Sequence, residues 1–129
     1  MTLTTTILSL LTLATTHSMA QTIPIQIEIN PDSNDVAFAN ISFYLNATDH
    51  HYHLKGLVKN ILPENTDIII VSVSFSDRAT GSSLHSASDD IDRSLTGGIA
   101  PNVILPFDID TGYNASQAYQ FQYMKALIT

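Results

Sequence analysis

Residues 69–76 have the sequence IIVSVSFS, and this stretch decides the fold class. Its odd-numbered positions carry Ile, Val, Val and Phe, and they alternate with Ile70 and three serines. This period of two is typical of a β-strand that is buried on one side. The β-branched side chains suit such a pleated surface. We therefore predict a strand whose odd-numbered side chains point into a core.

The same alternation recurs on both sides of this stretch. It predicts seven strands, over residues 23–29, 36–45, 52–59, 69–76, 82–88, 103–109 and 118–128. Residues 89–93 are either a polar connection or a short eighth strand around Ile91. Turn-forming residues separate them, as in residues 30–35 and 77–81, and no segment beyond residue 20 has helical periodicity. The pattern predicts an all-β fold: one antiparallel β-sandwich, immunoglobulin- or fibronectin-like, formed by residues 21–129.

The alternation also predicts which side chains share a face. In the first strand the half-buried face carries Ile23, Ile25, Ile27 and Ile29. In the second, the inward positions are Ala39, Ile41, Phe43 and Leu45. In the last, Tyr119, Phe121, Tyr123, Lys125 and Leu127 share one face. Residues 82–88 are predicted to form an edge strand, and residues 111–114 a loop.

The N-terminus has the features of an export signal. Residues 1–20 contain no charged side chain, and residues 7–14 are mostly apolar. Ser18 and Ala20 provide the small side chains that signal peptidase accepts, so we predict a signal peptide over residues 1–20. The apolar run is about half of the roughly 20 residues that a spanning helix needs. We expect a secreted or cell-surface chain with no transmembrane segment after cleavage, and with glycosylation sequons at Asn40, Asn46 and Asn114.

Composition excludes several classes of function. The chain has 129 residues, five Lys and Arg against twelve Asp and Glu, a net charge of −7 and no cysteine. Neutralising phosphates requires clustered basic residues, so we expect no nucleic-acid partner. Without cysteine there is no disulfide, thiol nucleophile or thiolate-bound metal. No nucleophile elbow, phosphate-binding loop or H-E-x-x-H motif occurs, so we expect no enzyme activity and no catalytic residue.

One segment concentrates groups that can bind a metal ion. Asp49, His51 and His53 lie two residues apart and share a face if the chain is extended. Imidazole suits Cu²⁺ and Zn²⁺, and His85 could complete such a site if the fold brings it close. The simpler alternative, which we favour at this point, is a loop leading into a strand whose outward side chains, His53, Lys55 and Lys59, are solvated. On that reading the chain needs no cofactor.

Two acidic clusters, residues 89–92 and 108–110, are candidates for calcium. Neither has the order of ligands of a calcium-binding loop, so we predict solvated acidic loops.

Several scaffold residues resemble those of the FxLYD family of secreted prokaryotic domains. Matching positions are Gly56, Val58 and Asn60 in one strand, Asp77 and Gly81 in the next hairpin, and Pro106-Phe107 after a Pro101-Asn102 turn where the family has Pro-Gly. Ser76 stands where the family has its tyrosine. The resemblance covers about residues 52–123. It implies a β-sandwich accessory or adhesion-like module on the cell surface, without catalytic residues.

We therefore expect a secreted or cell-surface, non-catalytic β-sandwich module that binds an envelope protein or a glycan. The alternative is an extracytoplasmic copper- or zinc-binding protein that uses residues 49–53.

Overall fold

The structure, a computed structural model, describes residues 24–129. The predicted signal peptide and Ile23 lie outside these residues. The strands are β1 (Gln26–Ile29), β2 (Val36–Leu45), β3 (His51–Asn60), β4 (Ile68–Asp77), β5 (Ser83–Asp92), β6 (Ile104–Asn114) and β7 (Met124–Ile128). Within this described range there are also two 3₁₀ helices, Ser94–Thr96 and Ala115–Tyr123. Within residues 24–129 no helix is long and apolar enough to cross a membrane.

The strands form two sheets that share one core. One sheet has the order β1-β7-β4-β5 and the other the order β2-β3-β6. The prediction of an all-β fold with seven strands is confirmed. Four of the pairings are antiparallel, as predicted. The exception is β1, which runs parallel to β7.

The core confirms the alternation predicted for β4. Ile69, Val71, Val73 and Phe75 are all buried. Phe43 and Phe75 come from opposite sheets, and the centres of their rings are 6.4 Å apart. The largest fully buried side chains come from both sheets, from the second 3₁₀ helix and, for Ile99, from the segment before β6: Phe75, Phe121, Leu54, Ile99, Ile109, Ile128, Val58, Val71, Val73, Asn60 and Thr111. Such burial contributes about 1.5–3 kcal/mol for each large apolar side chain.

The predicted inward face of β2 is wrong in its first half. Val36 and Phe38 are partly buried against the core, whereas Ala39 is exposed. The pairing with β3 shifts between Ala39 and Ser42, and Asn40 has a φ of 57°. This β-bulge inserts an extra residue and changes the phase of the alternation, so that Ile41 points inward after it. Leu45, also predicted to point inward, is 46% exposed.

The predicted last strand is also wrong between residues 118 and 123. These residues belong to the second 3₁₀ helix, which begins with a capping box between Asn114 and Gln117. With three residues per turn, the inward positions of such a helix lie three apart, and Phe121 is buried while Tyr119 and Tyr123 are more than half exposed. In β7 the buried residues are Met124, Ala126 and Ile128, so Lys125 and Leu127 lie on the other face.

The side of the sandwich formed by β5 and β6 is closed by side chains, and we call it the closed side. A carboxylate oxygen of Asp89 accepts the Asp108 N–H at 3.0 Å, and His85 Nε2 donates to the Thr111 carbonyl at 2.9 Å. The Asp108 N–H and the Thr111 carbonyl are main-chain groups of β6, which is an edge strand of its sheet. The prediction of an edge strand after Gly81 is confirmed by β5. The prediction of a polar connection or a separate eighth strand around Ile91 is wrong, because β5 continues without a break to Asp92 and pairs with β4 along this length.

The predicted loop over residues 111–114 is instead the end of β6. Gly112 has a φ of 79°, and the β3–β6 register shifts opposite it, between His51 and His53. A bulge therefore lets the strand continue.

Candidate functional site

The turn between β2 and β3 positions Asp49. The Asn46 side-chain oxygen accepts the N–H groups of Thr48 and Asp49, and His50 has a φ of 61°, which turns the chain back into β3. Asp49 Oδ1 then accepts the His51 N–H at 2.8 Å. The carboxylate is thereby held above the start of β3.

His53 lies between two carboxylates. Its Nδ1 is 2.6 Å from Asp108 Oδ1, and its Nε2 is 2.7 Å from Asp49 Oδ2. The residue is only 8% exposed. The expectation that His53 is solvated is therefore wrong, because the turn and two neighbouring strands cover the outward face of β3 at this point. Lys55 on the same face is exposed, and Lys59 is partly buried.

Tyr44 anchors the carboxylate on the Nδ1 side of the ring. Its hydroxyl donates a hydrogen bond to Asp108 Oδ2. Its ring also lies 5.3 Å from the His53 ring, and Lys55 Nζ stands 4.9 Å from the centre of the Tyr44 ring. The hydrogen bond to Asp108 raises the pKa of Tyr44. The Asp108 side chain is thus fixed on both oxygens.

A third carboxylate near His53 is that of Asp110, which belongs to β6. Its Oδ1 accepts the Gly112 N–H at 2.9 Å and lies 3.0 Å from His51 Nδ1. One ligand atom each of Asp49, His53 and Asp110 can be chosen so that all three lie within 4.8 Å of one another. We call these three residues the Asp–His cluster.

The sequence-predicted ligands are only partly brought together. Asp49 and His53 belong to the Asp–His cluster, whereas His51 contacts it through Asp110 and through its own N–H. His85 lies elsewhere: its Nε2 is bonded to Thr111, and its ring stacks 6.3 Å from Phe75. The third member, Asp110, was predicted only as part of an acidic loop. The sequence does contain a hint of its role, because Asp108 and Asp110 are spaced two residues apart, as His51 and His53 are in the strand that pairs with β6.

The two acidic clusters lie on strands and not in loops. Asp89, Asp90 and Asp92 belong to β5, and Asp108 and Asp110 to β6. Asp92 accepts hydrogen bonds from the N–H and the hydroxyl of Ser94, which lowers the pKa of its carboxyl.

The environment of His53 favours its charged form. Burial of the ring opposes protonation and is the largest single effect, but the hydrogen bonds and charges of Asp108 and Asp49 together outweigh it, so the pKa of His53 is raised. Two ionised carboxylates can both accept only from a ring that carries a proton on each nitrogen. The His51 N–H lowers the pKa of Asp49. Burial raises the pKa of Asp110, but the hydrogen bonds from the Gly112 N–H and the His51 ring outweigh burial, so the pKa of Asp110 is lowered overall.

These shifts predict how stability depends on pH in the metal-free protein. A raised histidine pKa contributes stability that is full below the unfolded value of about 6.5 and is lost as pH rises through the folded value. A lowered aspartate pKa contributes stability that is present above about 3.9 and is lost as pH falls through the folded value. We therefore expect the melting temperature, measured with a chelator present, to be highest between about pH 4 and pH 6.5.

His53→Gln tests the histidine part of this prediction. It should remove most of the decrease in melting temperature between pH 6 and pH 8. His50→Asn is the matched control, because His50 is exposed and Asn tolerates its positive φ. An unchanged decrease in His53→Gln would contradict the assignment to His53.

A second feature is the side of the sandwich opposite the closed side, which we call the open side. Among the described strands, β1 pairs only with β7 and β2 only with β3, so both have a free edge here. Ile27 and Ile29 point to the same face as Ala126 and Ile128 but are 38% and 47% exposed. The predicted half-buried face of the first strand is therefore largely uncovered.

An apolar groove runs between the two free edges. It has a volume of about 430 Å³ and is lined by Ile27, Ile29, Phe38, Ala39, Asn40 and Ile41. The short β1 and the bulged part of β2 form its two walls.

Comparison with protein-family models, curated proteins and solved structures finds no match to this chain.

Proposed function

We propose that this chain is a non-catalytic β-sandwich module, secreted or displayed on the cell surface, that binds another envelope protein through its open side. In this proposal an extended segment of the partner lies in the groove between β1 and β2. Addition of a strand to a free sheet edge is a common mode of peptide recognition, because main-chain hydrogen bonds provide affinity and side-chain pockets provide specificity.

The observation that carries this proposal is the exposure of Ile27 and Ile29. Both side chains face the interior of the sandwich, yet they retain 38% and 47% of their accessible surface. Covering apolar surface of this kind is worth roughly 25 cal/mol for each Å² removed from water. A partner strand would cover these side chains and pair with a free edge at the same time.

The lining of the groove favours a protein over a glycan. Its side chains are mostly aliphatic, with Phe38 partly buried and Asn40 as the polar member. A sugar would require exposed aromatic faces and several hydrogen-bonding groups. A peptide strand instead requires an unpaired edge and apolar contacts, which the open side offers.

The sequence supports the location that we propose. The apolar residues 7–14 and the small residues before position 21 favour export, and the sequons at Asn46 and Asn114, which lie outside the groove, suit an extracytoplasmic chain. The FxLYD-like residues support an accessory or adhesion-like role. Two of them have clear structural reasons here: Gly81 has a φ of 77° in the β4–β5 turn, and Asn60 is fully buried.

Site-specific photo-crosslinking tests the proposal. A photoreactive side chain at Ile27, introduced in cells of the source organism, should form an adduct with one extended segment of a single protein. A synthetic peptide of that segment should then bind the purified chain, and Ile29→Lys should weaken this binding at least tenfold by placing a charge in the groove.

Leu95 provides the matched control position, because it is 99% exposed and lies outside the groove. Equal adducts from positions 27 and 95 would contradict the proposal, as would peptide binding that Ile29→Lys leaves unchanged. A glycan as the sole adduct would replace the proposed partner class.

A further inference from the structure

The Asp–His cluster joins two segments that are far apart in the sequence. Asp49 comes from the β2–β3 turn, His53 from β3 and Asp110 from β6. Their ligand atoms lie within 4.8 Å of one another although the residues span positions 49 to 110. In a tetrahedral zinc site, with bonds of about 2.0–2.2 Å, ligand atoms are roughly 3.3 Å apart. Small side-chain rotations therefore suffice to place the three atoms around one ion.

The His53 ring is oriented as a metal ligand is. Asp108 Oδ1, 2.6 Å away, accepts from Nδ1, which leaves Nε2 as the nitrogen directed at Asp49. A carboxylate bonded to the far nitrogen of a ligating imidazole fixes its tautomer and increases its basicity. Asp108 is itself fixed by the Tyr44 hydroxyl. The ring is also nearly buried, so its direction is set by the fold.

Both carboxylates are likewise held by groups outside the cluster. The His51 N–H binds Asp49 Oδ1, and the Gly112 N–H binds Asp110 Oδ1. The other oxygen of Asp49 is directed at His53 Nε2 at 2.7 Å, and the other oxygen of Asp110 lies 3.1 Å from His51 Nδ1. An ion would therefore bind in place of the His53 proton and draw Asp110 Oδ2 away from His51. An imidazole with two carboxylates is a ligand set for Zn²⁺ or Cu²⁺ and not for Ca²⁺, which prefers oxygen ligands alone.

We propose that Asp49, His53 and Asp110 bind one divalent ion of the zinc or copper type, with Asp108 as the positioning residue of His53. The ion takes the place of the proton on His53 Nε2, and water completes its coordination. This site is separate from the groove of the open side, so it stands whether or not a partner protein binds there. It differs from the sequence prediction in its third ligand, Asp110 in place of His51.

Calorimetry with the full chain at neutral pH tests the site. Titration with Zn²⁺ and, separately, with Cu²⁺ should show one ion per chain for at least one of the two metals, and Ca²⁺ should give no heat. Asp110→Asn, which keeps the shape of the side chain, should weaken binding at least tenfold. Asp108→Asn should weaken it by about 10–100-fold, because it removes the negative charge that makes the His53 ring a more basic ligand.

Two controls separate this site from adventitious binding to surface groups. His50→Asn removes an exposed histidine of the same segment, and Asp90→Asn removes an exposed aspartate of β5. Both should bind as the unaltered chain does. Circular dichroism of each variant verifies that it is folded. Absence of binding by the unaltered chain would overturn the proposal. So would a loss in His50→Asn equal to that in Asp110→Asn, or full affinity in a folded Asp110→Asn variant.

Discussion

The Phe75→Asp variant is expected to show no cooperative thermal transition. Phe75 is fully buried at the centre of the core, and its ring lies 5.2 Å from Tyr113 and 6.5 Å from Phe121. Removing such a ring costs about 3–5 kcal/mol, and an unpaired buried carboxylate adds several more. The total stability of a domain of this size is about 5–15 kcal/mol. The substitution therefore removes most or all of it.

Circular dichroism on heating, with Leu95→Asp as the control, measures this effect. Leu95 is 99% exposed, so the same charge should leave the melting temperature almost unchanged there. A Phe75→Asp variant that melts cooperatively near the temperature of the unaltered chain would contradict the core described above.

The second large effect is expected at Asn60. This side chain is fully buried, and it donates to the carbonyls of Ile99 at 2.9 Å and Glu64 at 3.1 Å. Its oxygen accepts the Leu62 N–H at 3.0 Å. Asn60 therefore joins the β3–β4 loop to the segment before β6. Asn60→Ala leaves the Glu64 carbonyl and the Leu62 N–H without this partner, whereas the Ile99 carbonyl keeps the Thr66 N–H. Each main-chain group left unpaired costs about 1–3 kcal/mol.

We expect Asn60→Ala to lower the free energy of unfolding by about 3 kcal/mol, measured by denaturant titration. Asn60→Asp has the same shape but faces two carbonyl oxygens with a charge, so it should destabilise at least as much. Asn65→Ala is the matched control, because Asn65 is exposed and makes one hydrogen bond, to Gly97. Equal losses at positions 60 and 65 would show that Asn60 does not join the two segments.

The fold class could be predicted because the pattern of β4 is regular. Buried and less buried side chains alternate without interruption from Ile69 to Phe75. The strand lies between β7 and β5 in its sheet. The same reasoning failed in β2 because a bulge at Asn40 changes the phase, and one residue is enough to exchange the two faces of a strand. Alternation alone contains no information about where such a bulge lies.

The C-terminal error has a different origin. Tyr119, Phe121 and Tyr123 alternate as strand residues do, but the spacing of Ala118 and Phe121 fits the three-residue period of a 3₁₀ helix equally well. The capping pair Asn114 and Gln117 was visible in the sequence and favoured the helix. Only a capping pair of this kind could have distinguished the three-residue period of a 3₁₀ helix from the two-residue period of a strand.

The candidate site was predictable as a segment but not as a set of ligands. Asp49 and His53 stood out because they lie close in sequence. Asp108 and Asp110 belong to a strand more than fifty residues away, and their positions depend on the β3–β6 register and on the bulge at Gly112. Registers between distant strands follow from the whole fold, so the sequence could not show which aspartates would face His53.

The closed side determines how many neighbours one molecule can acquire. A sandwich with free edges on both sides could add a neighbour at each and grow into a filament. Here the edge groups of Asp108 and Thr111 already bind Asp89 and His85, and the aspartates of β5 would repel an approaching strand. Among the residues that the structure describes, the open side is the one whose edges and apolar side chains remain uncovered. Two copies that paired through this side would therefore form a finite pair and not a growing filament.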